Sequence, residues 1–236
     1  MRTLGVIPAR GGSKGIPRKN IALLGGRPLL AYTAEAALAA SQLDRVILST
    51  EDEEIARVGR SLGLEVPFMR PQALAQDDAP TLVVLQHAVR EVGREGDEYD
   101  VIVTLQPTTP FRSAEDIDGA LELLERTGAD SVVSLVSPGG LHPFKVKSID
   151  GEGWVGEPEF ARGKAHLPRQ VLPSFWSLEG SLYITRRSVL MEENRILGDK
   201  TQAWIVPRER TVNIDSSFDL WLAERMLSDP PNGSNC

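Results

Sequence analysis

The chain has one cysteine in 236 residues, Cys236 at the last position. A single thiol excludes a disulfide framework and any cysteine-based metal site. No stretch approaches the roughly 18 consecutive apolar residues that span a bilayer. The opening run, residues 1–8, is too short for a secretory signal and is stopped by Arg10. A reducing, cytoplasmic setting is therefore expected, with no membrane partner. The three histidines, His87, His142 and His166, show no metal-ligand spacing, and no Ser-His-Asp or Cys-His arrangement can be assembled. His87 falls on an amphipathic helical pattern and reads as structural. His142 is open to either a site role or a packing role.

Acid is also missing from one end. Residues 1–34 hold six bases (Arg2, Arg10, Lys14, Arg18, Lys19 and Arg27) and no Asp or Glu before Glu35. Of 26 bases, 20 remain to face all 33 acids in the rest of the chain, within a net charge of −7. An acidic body with one basic segment argues against nucleic-acid binding, which needs an extended basic face. It suits a local pocket for a small polyanion.

What is present is ordinary for a soluble globular chain: 41% hydrophobic, 25% charged, 21 Gly and 16 Pro. The length predicts one α/β domain over residues 1–228 with a small excursion, followed by a frayed tail at 229–236. Strands are expected at 2–9, 45–50, 65–68, 100–105 and 131–136. Helices are expected at 28–40, 51–62, 81–92 and 113–126, the second capped by Ser49 or Thr50 and the fourth by Ser113 with Asp116. That alternation is the pattern of a Rossmann-like, mostly parallel open sheet with helices on both faces. Residues 141–180, rich in Pro, Gly and aromatics, break the rhythm and predict an irregular excursion or short antiparallel strands. Strands at 181–185 and 203–206 and a helix at 216–227 close the chain.

The most informative stretch is Pro8-Ala9-Arg10-Gly11-Gly12-Ser13-Lys14-Gly15-Ile16-Pro17-Arg18-Lys19-Asn20. It follows the first strand, where ligands of open α/β sheets bind. Gly11, Gly12 and Gly15 let the backbone turn tightly and aim N–H groups at a ligand. Arg10, Lys14 and Lys19 supply cationic donors suited to phosphate. Four bases in ten positions repel one another unless an anion sits among them. Neither the Walker nor the dinucleotide glycine spacing is present, and a solvated basic loop is the alternative.

This stretch resembles the first motif of the acylneuraminate (CMP-sialic acid) cytidylyltransferases, Ile-Pro-Ala-Arg-x-Gly-Ser-Lys-x-Ile-Pro-x-Lys-Asn. The resemblance continues through residues 45–50, Arg70-Pro71 with Leu74 and Asp77, Leu105-Gln106-Pro107-Thr108-Thr109-Pro110-Phe111-Arg112, His142-Pro143-Phe144-Lys145, Arg169-Gln170-Val171-Leu172-Pro173 and Asn213-Ile214-Asp215. It implies transfer of CMP from CTP to the anomeric hydroxyl of an acidic nine-carbon sugar, with release of pyrophosphate. It also implies Mg2+ as cofactor and a homodimer in which residues 141–180 complete the neighbour's sugar site. Arg10, Lys14 and Lys19 would be catalytic. Those three, with Gly11, Gly12, Ser13, Asn20, Arg70 and Thr81, would bind the nucleotide. Gln106, Lys145, Arg169 and Tyr183 would line the sugar site, and Asp215 with Asn213 would hold the metal.

Each assignment has a plainer reading. Arg70 could be a surface base, Gln106 a loop cap, Lys145 and Arg169 exposed cations, and Asp215 a helix N-cap. The chain also departs from the family pattern twice. Asn213 stands where a second aspartate is usual, which removes a charge from the metal site. Ser177-Leu178-Glu179-Gly180 replaces Arg-x-Asn-Gly, so Glu179 would bring negative charge towards an anionic sugar unless a base such as Arg169 pairs with it. Two rivals therefore remain at this point: a nucleotidyltransferase for another acid sugar of the 3-deoxy-manno-octulosonate type, and a non-catalytic nucleotide-sugar binding module.

Overall fold

A computed structural model describes residues 1–229. The tail expected at 229–236, including Cys236, falls outside the described residues after Asp229.

The first strand, β1 (Thr3–Pro8), is followed by the basic loop, a 3-10 turn at Lys19–Ile21 and a small hairpin of β2 (Leu23–Leu24) and β3 (Arg27–Pro28). Then come α1 (Leu29–Ala39), β4 (Arg45–Ser49), α2 (Glu53–Ser61), α3 (Thr81–Arg94), β5 (Val101–Thr104), α4 (Ala114–Thr127) and β6 (Ser131–Val136). The excursion contains only 3-10 turns and the hairpin β7 (Ser148–Ile149) with β8 (Val155–Gly156). The chain returns through β9 (Ser177–Arg186), α5 (Arg187–Met191), β10 (Thr201–Ile205) and α6 (Ser217–Ser228).

Six strands form one sheet in the order β10-β6-β9-β5-β1-β4. Every pairing is parallel except those of β9, which runs antiparallel between β5 and β6. Buried on both faces, β5 is a continuous apolar run, with Val101, Ile102 and Val103 fully enclosed. One side of the sheet packs on α1 and α4 through Leu30, Ala34, Ile117, Leu121 and Leu124; the other packs on α3 through Leu85, Ala88 and Val92. Each such buried Leu or Ile contributes about 1.5–3 kcal/mol. A third cluster ties the β2–β3 hairpin to α6 through Leu24, Leu29, Ile214 and Ala223.

From β1 the chain crosses to β4 on one side and returns to β5 on the other. The loops after β1 and β5 thus diverge at a topological switch point, where such sheets open a crevice at their carboxyl ends.

Three local expectations are corrected. The strand at 65–68 reduces to a single parallel bridge between Ile47 and Glu65, because Pro67 cannot donate to a ladder. The cap of α2 is Asp52, whose carboxylate accepts from the N–H groups of Glu54 and Ile55, not Ser49 or Thr50. The strand expected from 181 starts four residues earlier, at Ser177. The capping box of Ser113 and Asp116 on α4 is present as expected.

Candidate active site

A cleft of about 340 Å3 lies at the switch point. Arg10, Gly12, Ser13, Lys19 and Asn20 line it from the basic loop, Gln106, Pro107 and Thr108 from the loop after β5, Arg70 and Thr81 from the α3 side, and Asn213 and Asp215 from before α6. Ile214 N–H bonds to the Thr108 carbonyl at 2.8 Å, which fixes the segment carrying Asn213 and Asp215 against the β5 loop.

The four crowded bases find anions within the chain. Arg10 Nη1 and Lys14 Nζ reach the two oxygens of Asp77 at 3.0 and 2.7 Å. Arg18 pairs with Asp52 and Glu54, and Lys19 Nζ sits 2.7 Å from Asp215 Oδ1. The Lys14 ammonium, donating to Asp77, holds that carboxyl below the usual carboxylate range despite some desolvation. No outside anion is needed to hold the loop together, so the repulsion expected of it is answered locally.

The glycines serve this arrangement differently from expectation. Gly11 donates its N–H to Glu51 Oε1 at 2.6 Å, so that donor is unavailable to a phosphate. A Cβ on Gly11 would meet Asp52 Oδ2 at 2.5 Å, and one on Gly15 would meet the Asp215 carbonyl oxygen at 2.1 Å. Both glycines allow the loop to close on acid-bearing segments, whereas Gly12 faces open space. Gly15→Ala is expected to cost about 1–3 kcal/mol through overpacking and to displace Asp215 from Lys19. Thermal unfolding and a CTP titration read the two effects.

Asn20 is buried and donates from Nδ2 to the Arg10 carbonyl at 2.8 Å, which bends the loop around the cleft. Arg70 is also buried, not a surface base: Nη2 donates to Glu51 Oε2 at 2.6 Å, while Nε has no hydrogen-bond partner. Asp215 is not the helix cap. Ser216 caps α6 in a capping box with Asp219, so both Asp215 oxygens are left to the cleft, Oδ1 to Lys19 and Oδ2 to the Asn213 amide at 2.9 Å.

The expected sugar residues do not gather with this set. Gln106 alone lines the cleft. Lys145 spends its ammonium on the Ala165 and Leu167 carbonyls at 2.5 and 2.7 Å, and Arg169 is exposed on a 3-10 turn of the excursion. Tyr183 is half-buried on β9, where burial and then Glu179 push its phenol above the ordinary value. Lys14 and Gly11 do not reach the cleft lining either.

Glu179 is buried and accepts the Ser181 N–H at 2.9 Å. The cation that feels its charge is Arg112, not Arg169. Arg112 is a buried hub: Nε donates to Ser181 O (2.7 Å), Nη1 to Thr33 Oγ1 (3.1 Å), and Nη2 to Gln106 O (2.9 Å) and Thr109 Oγ1 (3.1 Å). Burial pushes its pKa down to about 10, opposed by Glu179 and Asp116, so it stays cationic at neutral pH. Sequence reasoning missed both Arg112 and Glu51 as supports of the site. The signal for Arg112 was its place in the β5 loop motif.

His142 is a packing residue. Its Nδ1 accepts the Phe144 N–H, its Nε2 meets the Pro173 carbonyl, and its ring packs edge-on to Phe175 and tilted against Phe144. His87 packs edge-on to Phe68, and burial lowers its pKa below the ordinary value.

Comparison with known proteins is consistent with this geometry. The chain is 34% identical to the CMP-N,N'-diacetyllegionaminic acid synthase of Legionella pneumophila, over 96% of this chain and 97% of that protein. It is 34% identical to N-acylneuraminate cytidylyltransferase A of Danio rerio, covering 94% of this chain and 50% of that longer one. In fold it resembles a solved CMP:2-keto-3-deoxy-manno-octonic acid synthetase complexed with CTP, at a TM-score of 0.72 and 17% identity, over 97% and 99% of the two chains. A cytidylyltransferase family model matches residues 4–144, which carry the basic loop, Arg70, Thr81 and the β5 loop, and with that match the chain belongs to the cytidylyltransferase family.

Proposed function

We propose that the protein transfers CMP from CTP to the anomeric hydroxyl of a nonulosonic acid, a nine-carbon 2-keto acid sugar, with release of pyrophosphate. The observation that carries this reading is one cleft in which Arg10, Ser13 and Lys19 stand on one wall, Arg70 and Thr81 on the other side, and Gln106 at the mouth of the β5 loop. The first group suits a triphosphate and the second a base. The relatives named for legionaminic acid and acylneuraminate support the sugar class.

In this reading the acceptor hydroxyl attacks the α-phosphorus in line with departing pyrophosphate. Charge builds on the phosphoryl oxygens and the leaving group, so positioning and cationic stabilisation supply most of the acceleration. Lys19 exchanges Asp215 for the α-phosphate, and Arg10 and Lys14 exchange Asp77 for the β- and γ-phosphates. Arg70 offers a guanidinium N–H to an acceptor on the base, and Gln106 both donates to and accepts from the sugar.

Mg2+ fits the residues present. It prefers oxygen donors, keeps several waters, and needs only one or two protein ligands when substrate phosphates supply others. Asp215 brings a carboxylate and Asn213 brings a carbonyl oxygen once its amide turns over, although no cluster of three or more His, Cys, Asp or Glu exists among the described residues. The ion would neutralise charge developing on the phosphates. Asn213→Asp is expected to lower the Mg2+ concentration for half-maximal binding about tenfold, because site charge tunes affinity. Titration with Mn2+ followed by electron paramagnetic resonance measures it directly.

A homodimer is part of the same proposal. The excursion exposes Leu141, Ile149, Trp154, Phe160, Val171 and Trp176, large apolar side chains that a partner surface would cover. It also carries Lys145 and Arg169 away from this chain's own cleft, which fits their completing a neighbour's sugar site. Among the described residues no helix is long and apolar enough to cross a membrane; a cytoplasmic setting is part of the proposal.

The deciding experiment follows pyrophosphate release with each nucleoside triphosphate, Mg2+ and a panel of acid sugars. CTP with a nonulosonic acid is the expected pair. Release with 3-deoxy-manno-octulosonate alone would reassign the acceptor, and CTP binding without any release would make the protein a binding module.

A further inference from the structure

Between the two halves of the nucleotide cleft lies Glu51, whose side chain is 6% exposed beside an Arg70 side chain at 3%. Its two oxygens face in different directions. Oε1 accepts the Gly11 N–H of the basic loop, and Oε2 accepts Nη2 of Arg70, each at 2.6 Å. Enclosing a carboxylate costs several kcal/mol unless its lone pairs are met, so this placement needs a reason. Capping of α2 is not that reason, because Asp52 alone makes the cap bonds.

Arg70 is further fixed by its own N–H on the Thr50 carbonyl at 2.8 Å, yet its Nε–H is buried and unpartnered. A buried donor without a partner is rare and costly. Here it belongs to a residue that lines the cleft beside Thr81. The pair is thus anchored at Gly11 and Thr50, and its arginine lines the cleft where a ligand would stand.

We propose that Glu51 is a positioning residue that couples the two ends of the nucleotide site, holding Arg70 ready for a base acceptor through the same carboxylate that fixes the phosphate loop at Gly11. The proposal rests on the reading of this cleft as a CTP site. It makes base recognition and triphosphate recognition interdependent. A nucleotide that seats its phosphates stabilises the loop, the loop stabilises Glu51, and Glu51 holds the guanidinium in place for the base.

The test measures binding of CTP and of inorganic tripolyphosphate, which has no base, to the native protein, Glu51→Gln, Arg70→Met and the double variant. Glu51→Gln is expected to weaken CTP at least tenfold and raise its KM, with kcat at saturation within threefold. It should also weaken tripolyphosphate, which Arg70→Met alone should not. In the double variant, Glu51→Gln should cost CTP, beyond Arg70→Met, no more than the factor by which it weakens tripolyphosphate. Additive losses, or a Glu51→Gln affinity within threefold of native, would overturn the coupling. Glu51→Asp keeps the charge but cannot span both partners, and it carries the same expectations if the Gln variant fails to fold. Should the native protein bind CTP no better than tripolyphosphate, the reading of the cleft as a CTP site fails instead.

Discussion

Lys19→Ala is expected to lower kcat by about 10²–10³ fold, the loss seen when a preorganised electrostatic donor is removed from a developing charge. Three features concentrate this effect on Lys19 among the loop bases. Its side chain is only 14% exposed, whereas that of Lys14 is 83% exposed. It follows Arg18, whose left-handed backbone (φ 53°) turns the chain sharply into the 3-10 turn, and it precedes the buried Asn20. Its ammonium lies on Asp215, the carboxylate proposed above to hold Mg2+, so it stands beside the phosphates in the proposed reaction. Stability should hardly change, since the partner is 67% exposed and such a pair is worth little in water. A fallen kcat with an unchanged unfolding temperature is the expected signature. Equal turnover would remove Lys19 from the chemistry.

The second large effect falls on folding. Arg112→Met should cost about 3–5 kcal/mol, because it leaves Ser181 O, Gln106 O and the Glu179 charge without the cation that serves them. At roughly 2–4 °C per kcal/mol for a chain of this size, the unfolding temperature drops on the order of 10 °C. Arg112→Lys should recover little. One ammonium cannot reproduce a planar fork that bonds α1, the β5 loop and β9 together. Activity at low temperature should fall as well, since Gln106 and Thr109 are held from the same guanidinium. Calorimetry on both variants, with turnover at a temperature where each is folded, separates the two effects.

The regular alternation legible in the sequence ends near residue 136, although β10 and α6 beyond it also stand close to where they are expected. To that point β1, β4, β5, β6 and the helices α1 to α4 announce themselves by apolar runs and spacing, and the sheet follows from their alternation, while the β2–β3 hairpin carries no such signal and the strand expected at 65–68 is a single bridge. β9 is different. It is ten residues long, but Ser177-Leu178-Glu179-Gly180 carries no strand period, Gly180 has φ 95°, and the pairing with β6 shifts register between Val133 and Leu135. Insertion of an antiparallel strand between β5 and β6 depends on tertiary packing that no local pattern encodes. α5 is only five residues long and too short to show a period.

The site divides in the same manner. Its nucleotide half is legible because Arg10, Ser13, Lys19 and Asn20 lie in one contiguous motif and Gln106 leaves the most apolar strand. The acids that pair with those bases are not, since Lys14 meets Asp77 and Lys19 meets Asp215 from far along the chain. Glu51 looks from sequence like one of four acids opening α2, and only burial sets it apart from Glu53 and Glu54. The sugar half stays dispersed because Lys145 and Arg169 ride on the excursion.

The ion pairs of the cleft bear on how the protein should respond to ionic strength. Counting its bases suggests that a triphosphate would displace several condensed salt ions, with a steep loss of affinity as salt rises. Asp77 and Asp215 already occupy the places those ions would take. Nucleotide binding then trades one internal anion for another, and little is released to solvent. Affinity should change less with salt than six bases in the first 34 residues would suggest.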